Sequence, residues 1–95
     1  MIVLWSPAAI ADLTQLRAYI AEDDPNAAQR VALHIAHNVE TLLPANPQIG
    51  RPGRVPGTRE LVIPKTPFIV PHRIVDGTIE VLRVYHGARR WPERF

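Results

Sequence analysis

The sequence contains no cysteine, which excludes disulfides, thiolate nucleophiles and thiolate-held metals and gives no reason to expect an oxidising compartment. It has no apolar run near the roughly 20 residues that a membrane-spanning helix needs. Its start, MIVLW, lacks the basic segment and long apolar stretch of a secretion signal. A cytoplasmic protein with no membrane partner is the expectation. Low-complexity and strongly polar tracts are also missing, so no segment reads as disordered. What is present is 95 residues, 46% of them apolar, enough for one core and one domain spanning 1–95.

Acidic residues are scarce in the second half. Residues 1–43 carry two arginines against five carboxylates, a net of −3, whereas residues 44–95 carry eight arginines and Lys65 against four carboxylates, a net of +5. Arginine's planar fork suits bidentate contacts with carboxylate or phosphate, so an anionic partner for that half competes evenly with a solvated surface of internal ion pairs.

Ile2 to Trp5 is a short β-prone run that stops at Ser6-Pro7, a cap followed by a proline at the first helical position. Ile10, Leu13, Leu16 and Ile20 then recur at helical spacing, with Asp12, Gln15 and Arg17 pointing elsewhere. That helix should end near Glu22, since Asp24 precedes Pro25. Asp24-Pro25 repeats the start signal, and a second helix runs to about Leu43 with Val31, Ile35, Val39 and Leu42 on one stripe. So short a connection implies an antiparallel helical hairpin.

Residues 44–57, rich in proline and glycine, read as an unusually long loop. Its glycines neither follow a strand nor end in lysine-serine, so it is not a nucleotide-phosphate loop. Arg59–Ile63, Phe68–Val75 and Thr78–Tyr85 are β-prone, and Asp76-Gly77 between the last two is a strong hairpin signal. Prolines 64, 67 and 71 imply irregular pairing around Lys65 to Pro71. The tail, GARRWPERF, shows no period, and its terminal position implies partial mobility. The expected fold class is α+β in two layers, β-α-α-β-β-β, with the hairpin packed on a mainly antiparallel sheet.

With that order in hand, four stretches carry a resemblance. They are Trp5-Ser6-Pro7-Ala8-Ala9-Ile10-Ala11-Asp12-Leu13, Gly50-Arg51-Pro52-Gly53, Arg59-Glu60-Leu61, and Ile79 through Tyr85-His86-Gly87-Ala88-Arg89-Arg90-Trp91-Pro92. Together, in order and from end to end, the sequence resembles the ParE/RelE toxin superfamily. The resemblance implies the toxin of a type II toxin–antitoxin system, held inactive as a hetero-oligomer by a cognate antitoxin that packs on the hairpin and sheet. It implies no cofactor and no metal. ParE-like members act on DNA gyrase; RelE-like members are ribosome-dependent mRNA endoribonucleases. Tyr85-His86 matches a tyrosine–histidine pair of one nuclease branch, the YoeB-like one. The nuclease pattern also wants a basic residue in the middle strand of the meander, where this chain has Ile69, and that favours the gyrase reading.

For RNA cleavage His86 would be the acid–base residue, with Arg83, Arg89 and Arg73 as cations for the phosphorane and Lys65 within reach. The competing reading has His86 hydrogen-bonded to a loop carbonyl and the arginines paired with Glu80 and Glu93. Expected antitoxin contacts are Val31, Ile35 and Val39 with Arg51, Arg54 and Arg59. Expected target contacts are Arg89, Arg90 and Trp91, with Trp91 either stacking on a base or plugging the core edge. His72 falls in a strand. His34 and His37 share a helix face, but two ligands make no metal site, and solvent-exposed helix histidines are the reading.

Overall fold

The computed structural model describes residues 1–95. Its elements are β1 (Ile2–Trp5), α1 (Pro7–Ala21), α2 (Pro25–Ala45), β2 (Arg51–Pro52), β3 (Arg59–Val62), β4 (Phe68–Val75), β5 (Thr78–Val81) and β6 (Tyr85–His86). Both helices begin as their caps dictate. The Ser6 hydroxyl accepts from the Ala9 N–H at 3.0 Å and the Asp24 carboxylate from the Ala27 N–H at 3.1 Å, each with proline at the first position. α2 passes through Pro44 for one residue beyond it before Asn46 closes it.

The sheet runs β1-β5-β4-β3-β2, with β6 also pairing β4. All pairings are antiparallel except β1 with β5, which are parallel. The two-layer α+β arrangement with a mainly antiparallel sheet follows the expectation. Two details depart from it. The long loop contains a strand, because Arg51 and Pro52 pair with Glu60 and Arg59. There Gly50, at φ 97, lies so close to the Glu60 carbonyl that any Cβ would collide with it.

Second, the last meander strand is two. Val81 pairs with His72, but Tyr85 pairs with Ile69, so the three residues Leu82 to Val84 answer two, Val70 and Pro71. This is a β-bulge opposite Pro71, whose carbonyl still accepts from the Leu82 N–H at 2.9 Å. The irregularity expected within Lys65 to Pro71 is thus expressed across the ladder, at Leu82 to Val84. The Asp76-Gly77 turn is as expected, with φ of 50° and 72° at its two positions, the primed-turn geometry that twists a hairpin the right way.

The core lies between the helices and one face of the sheet. Ala9, Ile35, Val39 and Leu43 pack with Leu61, Ile63, Val70, Ile79, Val81 and Val84. In α1 only Ala9 is fully buried, while Ile10 is exposed despite its place in the apolar period. The other sheet face carries no helix, and strand alternation puts Glu60, Ile69, Arg73, Glu80 and Tyr85 there.

Candidate functional site

Two features of the C-terminal half organise its charge. The first is the bulge. It turns Arg83 toward α1, where Asp12 receives the guanidinium bidentately, Nε at 2.7 Å and Nη2 at 2.8 Å, and also the Val84 N–H at 3.0 Å. Asp12, which helix periodicity places on a solvated side, is therefore the clasp between α1 and the end of the sheet. Its hydrogen bond raises the Arg83 pKa above the ordinary arginine value, and its charge adds to the effect.

The second is the bare sheet face. Glu60 is completely buried and accepts from Arg51 Nε at 3.0 Å and from the Arg54 N–H at 2.7 Å. Arg54 then lies over the Trp91 ring, 4.1 Å from guanidinium carbon to ring centroid. Trp91 meets Tyr85 edge to face at 5.1 Å, and Phe95 follows at 6.2 Å. Arg83 and Arg89 lie 4.7 Å and 4.3 Å from the Tyr85 centroid. The tail, expected to be partly mobile, is thereby laid across the sheet, with Trp91 packed between Arg54 and Tyr85. Arg83, Arg89, Arg90 and Arg94 surround a cavity of about 520 Å³ walled by Tyr85, Trp91 and Phe95, and only Arg83 has a carboxylate partner.

A second hollow of about 540 Å³ lies between α1, the start of α2 and the strand ends. Leu16, Tyr19, Val31 and Phe68 give it apolar walls, and Lys65, His86 and Arg89 line its rim. Lys65 holds a left-handed φ of 63°, unusual for a residue with a Cβ. His86 is exposed and packs edge to face on Phe68 at 5.9 Å. Its Nδ1 accepts from the Ala88 N–H at 3.1 Å, so the neutral ring carries its proton on Nε2. The partner is a loop N–H where a carbonyl was the competing expectation.

Of the residues expected for RNA cleavage, His86, Arg89 and Lys65 line one hollow, but Arg73 stands apart from them. His86 pairs with Phe68, and Arg73 stands five residues along the same regular strand, so the two project from opposite faces. Arg73 is bound to Glu80 at 2.6 Å. Ile69, at the position where a basic residue was wanted, pairs with Tyr85 and is buried. Arg83 and Arg89 do come together, over the Tyr85 ring.

The expected antitoxin contacts need correction. Ile35 and Val39 are completely buried in the core and present nothing to a partner, because the sheet consumes the inner stripe of α2. Val31 alone of the three reaches a groove. Arg51 and Arg54 are occupied by Glu60, and Arg59 Nη2 donates to the Gly50 carbonyl at 2.6 Å. Of the helix histidines, His37 is exposed, but His34 Nε2 donates to the Pro64 carbonyl at 2.8 Å and ties α2 to the β3–β4 turn. His72 is fully buried and its Nδ1 donates to the Val70 carbonyl at 3.1 Å. Burial lowers its pKa, the Val70 carbonyl offsets this in part, and the Arg59 charge lowers it further. Asp12 and Glu60 both fall in stretches that carry the resemblance, but the pattern gives no partner for either, because their partners lie in other elements.

Residues 3–91 match the sequence profile of the family described as the ParE toxin of the type II toxin–antitoxin system parDE. The Y4kP protein of Sinorhizobium fredii is 42% identical over 91 residues, covering 96% of this chain and 93% of its own. Toxin RelE2 of Caulobacter vibrioides is 34% identical over 87 residues, covering 92% and 96%. A chain from the chromosomal ParDE toxin–antitoxin system of P. aeruginosa superposes with a TM-score of 0.82 at 33% identity, covering 90% of this chain and 95% of that one. The protein belongs to the ParE family of toxins from type II toxin–antitoxin systems.

Proposed function

We propose that this toxin arrests growth by binding DNA gyrase rather than by cutting RNA. The observation that carries this reading is the separation of His86 from Arg73 across the two faces of the sheet, with Arg73 committed to Glu80. Phosphodiester cleavage needs an acid–base residue and cations around one phosphorus, and of the expected cations Arg73 is on the far face and Arg83 is committed to Asp12. The arginine-rich end around Arg89, Arg90 and Trp91 supports a role as the target-binding surface, because its cations are free of carboxylates and its aromatics supply rigid contact area. A cognate antitoxin neutralises the toxin by laying an acidic, apolar segment into the groove of Leu16, Val31, Phe68, Lys65 and Arg89. The RelE names among the relatives keep mRNA cleavage as the second reading.

The test sets purified toxin in a gyrase supercoiling assay beside a ribosome-programmed mRNA cleavage assay. Inhibition of supercoiling with intact mRNA is expected. Codon-specific cuts that vanish in His86→Ala would reverse the assignment. In cells, expression alone should arrest growth and co-expression of the antitoxin should restore it.

A further inference from the structure

The sheet ends in two unlike edges. At one, β2 is two residues long and includes Pro52, which has no N–H to offer, so this edge is blunted against pairing. At the other, β1 is four residues long, β-prone, and free of charge, proline and bulge. The Ser6 N–H donates to the Val81 carbonyl on the inner side. By strand alternation the N–H and C=O groups of Val3 and Trp5 therefore point outward, away from β5. Ile2 and Leu4 project onto the helix-free face and are 68% and 56% exposed, beside Val75 at 40%. The tail covers only the other half of that face, around Tyr85.

An uncovered, apolar edge strand is a template for one more strand. From its chemistry, we infer that the strand it takes is β1 of a second copy of this chain. A two-fold axis through Leu4 would pair Val3 with Trp5 of the second copy and Trp5 with Val3, joining the outward groups of each. Such isologous pairing sets a strand against itself and fails where like charges meet; β1 carries none, and Glu80 in the next strand is already neutralised by Arg73. An acidic partner, by contrast, finds no cation along β1 to hold it. The two Leu4 residues would form the non-hydrogen-bonded pair, with Cα atoms about 4.5 Å apart.

That spacing suits a disulfide, and the cysteine-free chain makes Leu4→Cys a clean probe. Sedimentation should show a dimer that grows with toxin concentration and disappears in Leu4→Lys, whose thermal melt should match the parent because Leu4 is exposed. Leu4→Cys should crosslink to a dimer under mild oxidation faster than Leu33→Cys, which puts an exposed thiol on α2. A monomer at every concentration would overturn the proposal, as would a dimer that survives Leu4→Lys. Protection of the Val3 and Trp5 amides from hydrogen exchange only when antitoxin is added would also overturn it, by giving the edge to that partner.

Discussion

The two faces of the sheet are held by different physics. The helix-facing side is a dry core in which Ile35, Val39, Leu43, Ile79 and Val81 are all fully buried, and the one fully buried ionisable side chain there is His72, whose pKa burial lowers. The other side has almost no aliphatic cover. The half of it around Tyr85 is covered by Glu60 under two arginines and by the stack Arg54, Trp91, Tyr85 and Arg89. A non-directional force fills the first face, while the second depends on particular partners meeting at particular angles. Loss of one group should therefore cost most stability on the first and most function on the second.

The largest expected effect is on the dry side. Ile35→Ala removes a completely buried side chain and should cost roughly 2–5 kcal/mol in denaturant unfolding. A loss below about 1 kcal/mol would mean that the helices sit more loosely than described. Next comes Glu60→Ala, which strands the Arg54 N–H and releases two arginines that are themselves half exposed. About 1–3 kcal/mol is expected, together with loss of the tail's order by NMR. An unchanged tail would detach Trp91 from the Arg54–Glu60 anchor.

His72 tests the dry side through pH. Its pKa is lowered in the fold, so the unfolded chain binds the proton more readily. Its contribution to stability is complete above the ordinary histidine value of about 6.5 and declines as the pH falls below it. The stability of the parent should slope downward there, and a folded His72→Leu variant should show a flatter slope; equal slopes would remove His72 as the cause. The smallest effects on stability belong to Arg89→Ala and His86→Ala, each within about 0.5 kcal/mol because both side chains are exposed. Arg89→Ala should nonetheless lose growth arrest, and His86→Ala should keep it. Arrest that persists without Arg89 would place target binding elsewhere.

The elements that the sequence discloses are those governed by near neighbours. Caps at Ser6 and Asp24, the Asp76-Gly77 turn and the apolar period of α2 all act within a few residues, so pattern alone locates both helices and the hairpin. The same pattern cannot say which apolar residues stay available. Val31, Ile35 and Val39 share one stripe, yet only Val31 remains in a groove, because availability depends on where the sheet lies.

The sequence by itself determined the α+β order, the charge asymmetry between halves and the family resemblance. Tertiary structure alone decided that Asp12 clasps Arg83 from 71 residues away, that Glu60 occupies Arg51 and Arg54, and that His86 and Arg73 face apart. The physical reason is range. Helix and turn preferences are set by local backbone geometry, whereas an ion pair between distant residues or the facing of a side chain across a bulged ladder exists only after the chain has closed on itself.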